Sequence, residues 1–392
     1  MSNVVIVSAK RTPIGAFQGA LAPMTAPQLG SVAMKAAVAA AGVAPAEVEE
    51  VLMGCVLPAG LGQAPARQAA IGAGIPLGTP ATTLNKMCGS GLKAVMMAAD
   101  QIRAGDTRIA LAGGLESMTN APYLLPKARG GYRLGHGEIL DHMFYDGLQS
   151  PFDGKLMGCF ADATAGKYGF TRAAQDEFAA ESVRRAQQAV ESGAFDAEIA
   201  PVSVRSRKGE TIVARDETPG TCDIGKIPSL KPAFGKDGTV TAASSSSISD
   251  GAAALVLMSE DCARERGLKP IARVLAYASH AQEPAWFTTA PIGAIQKVLA
   301  KLGWKPHDAD LYEINEAFAA VTMAAMRDLE IDWARVNVDG GACAMGHPIG
   351  ATGARILTTL LHALKRRGGK RGIASLCIGG GEAVAMAVEL RP

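Results

Sequence analysis

Three residues stand out for what they could do chemically. Cys88 lies in Asn85-Lys86-Met87-Cys88-Gly89-Ser90-Gly91, fenced by glycines just ahead of an apolar helical stretch. Cys377 lies near the C-terminus in Cys377-Ile378-Gly379-Gly380-Gly381, and His347 lies between them in Gly346-His347-Pro348-Ile349-Gly350. A structural cysteine needs no glycine neighbours. A reacting one gains from them, because glycine lets backbone and substrate approach closely. Two such thiols and one such imidazole point to acyl chemistry at sulfur. If a helix starts just after Gly89, its N-terminal dipole would favour the Cys88 thiolate.

The elements that must position these residues can be read from periodicity. Residues 4–8, 50–53, 108–112, 251–258 and 372–378 read as strands; residues 26–41, 92–103 and 172–192 read as helices. Gly42 and Gly105 close two of the helices, and Thr171 is a candidate N-cap for the third. The alternation predicts an α/β fold with a covered sheet. Near the C-terminus, Gly350-Ala351-Thr352-Gly353 leads into a helix whose residues Ile356, Leu357, Leu360, Leu361 and Leu364 share a face. Lys365, Arg366 and Arg367 suit its C-terminal dipole, and a strand running into three glycines follows. Glycine-rich turn, helix, strand and glycines recur in that order in both halves, which predicts a duplicated unit. Residues 119–248 are rich in Pro and Gly and poor in strand patterns, so they read as a long insertion of the kind that carries binding loops. The serine run at 244–247 reads as an ordered turn, because a buried strand resumes directly after it.

Composition narrows the class. The chain has 392 residues, 48% hydrophobic and 19% charged, enough for a large core. Its net charge of +2 argues against a nucleic-acid partner. The basic clusters Arg205-Ser206-Arg207-Lys208 and Lys365-Arg366-Arg367 are short and read as solvated turns or helix ends. No signal-peptide pattern or membrane-length apolar run is visible. Seven irregularly spaced cysteines imply free thiols in a reducing compartment, hence a cytoplasmic location. No Cys/His spacing suits zinc, so no metal is expected.

Six segments together resemble the thiolase family over essentially the whole chain. They are residues 85–91, 113–118, 250–254, 315–319, 340–355 and 377–381, in the family's order. The resemblance implies two repeated α/β halves in a five-layered αβαβα core with an inserted loop domain. It divides the chain into an N-terminal half (1–118 with 249–268), a loop domain (119–248) and a C-terminal half (269–392). It implies reversible Claisen condensation of two acetyl-CoA to acetoacetyl-CoA and CoA through an acyl-Cys88 intermediate. Coenzyme A thioesters would be substrates, with no tightly bound cofactor and a homotetramer as the assembly, residues 123–141 lying where the family's tetramerisation loop falls.

The resemblance also implies roles. Cys88 is the nucleophile. His347 activates it and then binds a thioester oxygen. Cys377 is the acid/base, for which a pKa near neutrality would suit both directions. Asn315 holds a water that, with His347 Nε2, forms one oxyanion hole; by local pattern alone Asn315 reads equally as a helix N-cap. The backbone N–H groups of Cys88 and Gly379 form the second hole. Met157, Ala233, Phe234, Ser246, Ala317 and Phe318 line the pantetheine arm, and Leu156 and Phe287 shape the acyl pocket. Cys343, in a position that is aliphatic in many thiolases, reads as structural. The arginine usual in the loop before residues 230–234 is replaced here by Pro219-Gly220-Thr221, leaving Lys226, Arg207 or Lys208 to meet the coenzyme phosphates. Two other readings stand beside this one: a degradative thiolase of broader chain length, and a thiolase-fold protein that binds acyl-CoA without turnover. A ketosynthase is disfavoured, because its usual bases are two histidines, or His and Asn, without a second cysteine.

Overall fold

A computed structural model of the chain describes residues 3–206 and 209–391. The long strands are β1 (Val4–Arg11), β2 (Glu50–Gly54), β3 (Ala81–Leu84), β4 (Ile109–Ser117), β5 (Ser249–Ser259), β6 (Ala272–Ala281), β7 (Leu311–Ile314), β8 (Arg371–Ile378) and β9 (Glu382–Leu390). With the short segment Gly15–Ala16 against β5, they form one 10-stranded sheet in the order β7-β8-β9-β6-β1-β5-β4-β2-β3. Outward from the centre, β6-β9-β8-β7 repeats β1-β5-β4-β2. In each arm the inner ladders are antiparallel and the outermost of these is parallel. Even β3 has a counterpart, the parallel bridge between Tyr312 and Val336. The duplication expected from pattern is therefore present in the strand order. The two arms are also hydrogen-bonded to each other, through Val4–Val274, Val5–Arg273 and Ile6–Ala272.

The principal helices are α1 (Ala26–Ala41), α2 (Pro65–Gly72), α3 (Ser90–Ala104), α4 (Met157–Tyr168), α5 (Arg172–Glu191), α6 (Ala290–Leu302), α7 (Ala319–Asp328) and α8 (Thr352–Arg367). Side chains alternate across each strand and so sort into layers. Val4 and Ile6 of β1 point to a core shared with α3 and α8, whereas Val5 and Val7 point to α1 and α2. On the other arm Ala374 and Leu376 face α3 and α8, and Ile373 faces α6. The result is five layers, with α3 and α8 sealed between the two arms of the sheet.

The helix ends follow from local chemistry. Thr25 caps α1 in a box with Gln28, and Gly42, Gly105 and Gly368 end α1, α3 and α8 in left-handed conformations (φ 68°, 87° and 68°). One expectation needs revision. Helix α8 reads as amphipathic, yet residues Thr352–Leu364 are buried all round except His362, which is half-buried. Its polar side chains are absorbed internally. The Thr358 hydroxyl donates to the Ala354 carbonyl at 2.9 Å, Thr359 to Glu198 at 3.0 Å, and Arg355 pairs with Glu313 at 3.7 Å. Helices α3 and α8 touch at backbone distance, for a methyl on Gly91 would lie 2.8 Å from the Ala354 nitrogen.

The described residues between β4 and β5 add no strand to the large sheet, apart from the bridge of Arg11 with Ile199. Helix α5 starts where expected, with Thr171 accepting from the Ala174 N–H at 3.1 Å. Helix α4 was not legible in the sequence, because Gly158, Thr164 and Gly166 dilute its pattern. A buried ionic cluster docks the insertion: Arg11 meets Glu198 at 2.5 Å and Asp216 at 2.7 Å. Removing one member of such a cluster costs roughly 3–5 kcal/mol, since an unpaired charge stays buried.

Candidate active site

Cys88 sits where β3 hands over to α3. The chain turns sharply there: Met87 has φ 47°, in the left-handed region that only special contexts hold in a non-glycine residue. The turn is locked by Ser90, whose hydroxyl donates to the Met87 carbonyl (2.6 Å) and accepts from the Lys86 N–H (2.8 Å). Gly89 packs closely on Ile378, so that a methyl there would push the end of that side chain aside. Cys88 is a half-buried residue at the cavity wall, and its own N–H and that of Gly379 face its sulfur. Burial pushes the thiol up to about 11, and those two N–H groups pull only partly the other way. The helix N-terminus therefore does not produce a resting thiolate.

His347 is buried beside the same cavity. Its Nδ1 lies 2.6 Å from the Thr352 hydroxyl, and that hydroxyl donates to the Pro348 carbonyl at 2.9 Å. Nδ1 must then carry the proton, which leaves the Nε2 lone pair free. Nε2 is a buried nitrogen with no protein partner among the described residues. Burial, helped by the Arg355 cation, lowers this imidazole to about 3, so it rests neutral.

Cys377 is the penultimate residue of β8 and is fully buried among Phe160, Phe287, Ala317 and Phe318. Burial, with a further contribution from Cys88, pushes its thiol well above the ordinary cysteine range. The near-neutral pKa expected for it is thus not what its surroundings give; it rests as a protonated thiol. Asn315 follows β7 and is 1% exposed. It does not cap the helix after it, since Phe318 is the N-cap of α7 and no side-chain bond is made there. Both its Nδ2 and its Oδ1 lack partners among the described residues. A buried polar group without a partner costs roughly 1–3 kcal/mol. Asn315 and His347 carry three such atoms, which suits a site that awaits a polar ligand.

The cavity holds about 240 Å³ and has an apolar wall. Leu156, Met157, Phe234, Ser246, Phe287, Ala317 and Phe318 line it, together with Cys88, His347 and Gly379. Ala233 does not. It is exposed, and its N–H bonds the Val240 carbonyl at 2.9 Å. Phe287 is held edge-on to Phe160, with centroids 6.2 Å apart. Lys226 lies in the open, paired with Asp223 at 3.3 Å, and Arg207 and Lys208 lie outside the described residues. Cys343 is buried against Phe178 and Ala319 away from the cavity, as a structural thiol would be.

Several supporting residues were not identified from sequence. Glu116 accepts from the N–H groups of Val56 (2.9 Å), Leu57 (3.1 Å) and Gly350 (2.8 Å), tying the end of β2 to the turn that carries His347. Burial raises its carboxyl to about 7. Glu316 gathers Ser182 (2.7 Å), Asn337 (2.8 Å) and the Cys343 N–H (3.1 Å), which fixes the approach to His347 from the other side. The serine run proves to be wall as well as turn. Ser245, Ser246 and Ser247 line the cavity, and the Ser247 carbonyl accepts the His347 N–H at 3.0 Å. The only clue in sequence was that Glu116 and Glu316 sit inside apolar glycine- and alanine-rich segments, where a charge needs a reason.

A duplicated α/β core that brings a thiol and an imidazole to one cavity just ahead of its two central helices, with a second thiol buried near the first on β8, defines a class of thiol-dependent acyl-transfer folds. The chain belongs to the thiolase family: the family models described as thiolase, N-terminal domain and thiolase, C-terminal domain match residues 4–261 and 268–390. An acetyl-CoA acetyltransferase of Cupriavidus necator is 51% identical over 391 residues, covering 99% of this chain and 100% of the relative. One from Escherichia coli K12 is 50% identical over 391 residues, with 99% of each chain covered. The crystal structure of the Bacillus anthracis acetyl-CoA acetyltransferase superposes with a TM-score of 0.98 at 44% identity, over 100% of this chain and 99% of that one.

Proposed function

We propose that the protein is an acetyl-CoA C-acetyltransferase that condenses two acetyl-CoA to acetoacetyl-CoA and CoA, reversibly. The observation that carries this is the meeting of the Cys88 sulfur, the Gly379 N–H and the unpartnered His347 nitrogen at one apolar cavity. Cys88 gives its proton to His347 Nε2 and attacks the thioester carbonyl. The oxyanion is held by the Cys88 and Gly379 N–H groups. CoA leaves as its thiolate and takes the proton of Cys377, which leaves an imidazolium and a Cys377 thiolate. The thiolate removes the α-proton of the second acetyl-CoA, and the enolate oxygen is met by His347 Nε2–H and a water on Asn315. The enolate carbon attacks acetyl-Cys88, the second tetrahedral oxyanion uses the first hole again, and the Cys88 thiolate departs and recovers its proton from His347. Each side chain ends in its starting protonation state: Cys88 regains its own proton from His347, and the α-proton replaces the one that Cys377 gave to CoA. Each oxyanion donor contributes on the order of 10²–10³ in rate.

Cys377 reaches this cycle as a protonated thiol, and loss of its proton is coupled to departure of CoA. The pantetheine arm runs past Met157, Phe234, Ser246, Ala317 and Phe318, with Leu156 and Phe287 closing the acyl end. Coenzyme A enters as substrate, and no tightly bound cofactor takes part in the cycle. Our reading of the assembly is a tetramer: Tyr123, Leu125, Tyr132, Leu134 and Ile139 expose large apolar surfaces on one loop, and β3 is an open sheet edge suited to a second copy. The cytoplasmic reading is supported by seven free cysteines and by the lack of any described helix long and apolar enough to cross a membrane. The deciding experiment compares kcat/KM for acetoacetyl-CoA with that for a ten-carbon 3-ketoacyl-CoA. A preference for the longer substrate would sink the short-chain assignment.

A further inference from the structure

The first oxyanion hole draws one N–H from each half of the duplicated core: Cys88 from the turn before α3, and Gly379 from the turn between β8 and β9. Their separation therefore depends on how two distant pieces of chain are held together. The second turn has little stiffness of its own. It is Gly379-Gly380-Gly381, with φ 94° and 91° at the last two residues, and glycine has the widest conformational choice. Two contacts already cross between the turns, the packing of Gly89 on Ile378 and the Gly379 N–H facing the Cys88 sulfur. A third is charged. Lys86, two residues before Cys88, forms an ion pair with Glu382, the first residue of β9, directly opposite Ile378 in the ladder. Among the described residues it is the one ion pair joining the two turns.

We propose that the Lys86–Glu382 pair is a positioning clamp that holds the Gly379 N–H in line with the Cys88 N–H for oxyanion binding. The inference rests on the acyl-Cys88 reading above. Both side chains are about one-third exposed (30% and 33%), so the pair contributes little to global stability, typically about 0–1 kcal/mol. Its effect is on alignment: a donor swung partly off its oxyanion forfeits part of the rate factor that a whole donor supplies.

The test uses the full-length protein and the variants Lys86→Met, Glu382→Gln, their double and Lys86→Arg. The clamp predicts that each neutral variant lowers kcat for condensation roughly tenfold with KM within about twofold, a fraction of the 10²–10³ of a whole donor. The double should be no worse than either single, and Lys86→Arg should stay near the parent. A second readout separates clamping from bare charge. Removing the Glu382 carboxylate would by charge alone favour the Cys88 thiolate and speed its alkylation by iodoacetamide. Loss of the Gly379 N–H from the sulfur slows it, and the clamp predicts the slower rate. Unchanged kcat in the singles, additive losses in the double, or faster alkylation of Glu382→Gln each overturns the proposal. Incubating the parent with acetyl-CoA and looking for acetyl-Cys88 by mass tests the underlying reading separately.

Discussion

His347 Nδ1 and the Thr352 hydroxyl lie 2.6 Å apart, and Thr352 spends its own proton on the Pro348 carbonyl. One side chain in the first turn of α8 thus decides which imidazole nitrogen faces the cavity. Thr352→Val keeps the shape and removes the acceptor, leaving a buried N–H unpaired. The expected result is a stability loss of about 1–3 kcal/mol and a kcat roughly 10–100-fold lower, with Thr352→Ser restoring most of both. Thermal unfolding and steady-state kinetics on the two variants check this.

Cys88→Ser should abolish turnover, because a hydroxyl beside an imidazole this hard to protonate is a far weaker nucleophile than a thiol. Coenzyme A binding, read by calorimetry, should persist. Turnover within tenfold of the parent would remove Cys88 from its role.

Cys377→Ala separates the two half-reactions. Acetylation of Cys88, followed by mass, should survive, since CoA departs as a thiolate that water can protonate in place of Cys377, while acetoacetyl-CoA formation falls by about 10²–10⁴, the usual weight of a general base. Full condensation activity in this variant would mean that another group takes the α-proton.

The buried imidazole predicts an acid limb in stability. Unfolded His347 takes a proton below about 6.5, whereas the folded protein resists until about 3. The unfolded state therefore binds more protons between these values, so stability is intact above 6.5 and drains as pH falls, by about 1.4 kcal/mol per pH unit. Between pH 7 and 5 this amounts to about 2 kcal/mol, which His347→Asn should not lose. Urea titrations at both pH values on parent and variant decide it, and parallel losses would count against a neutral buried His347.

Phe287 closes the cavity edge-on to Phe160. Phe287→Ala should open the acyl end and raise kcat/KM for a six-carbon 3-ketoacyl-CoA relative to acetoacetyl-CoA by about tenfold, within the range of a few methylenes in an apolar pocket. A stability cost of roughly 3–5 kcal/mol accompanies the hole.

Much of the scaffold could be read from local pattern. Helix α1 runs over the residues its spacing predicted, with Gly42 ending it, and the order of turns, helices and strands announced a duplication that the strand order displays. Glycines marked the places where chain segments meet closely, as at Gly89 against Ile378. Less legible were features whose partners are far away in sequence. Helix α8 shows an apolar stripe, yet it is buried on every side because a second arm of the sheet covers its polar face. Glu116 and Glu316 lie in recognised segments, but their roles depend on N–H groups 59, 60 and 234 residues away for Glu116 and 27 for Glu316. Ala233 lies next to Phe234, which lines the cavity, and yet its own side chain points away.

The sequence alone determined which atoms could react: two thiols and an imidazole, each set in or beside a glycine-rich turn. Only the tertiary structure decided their protonation and pairing. Charge stability depends on how much water the whole fold removes, so burial holds Cys88, Cys377 and His347 neutral against what a helix N-terminus or a residue's ordinary pKa suggests. The imidazole tautomer likewise follows from Thr352 and Pro348, and the oxyanion hole from two turns 291 residues apart (Cys88 to Gly379) that meet because two copies of one unit pack face to face.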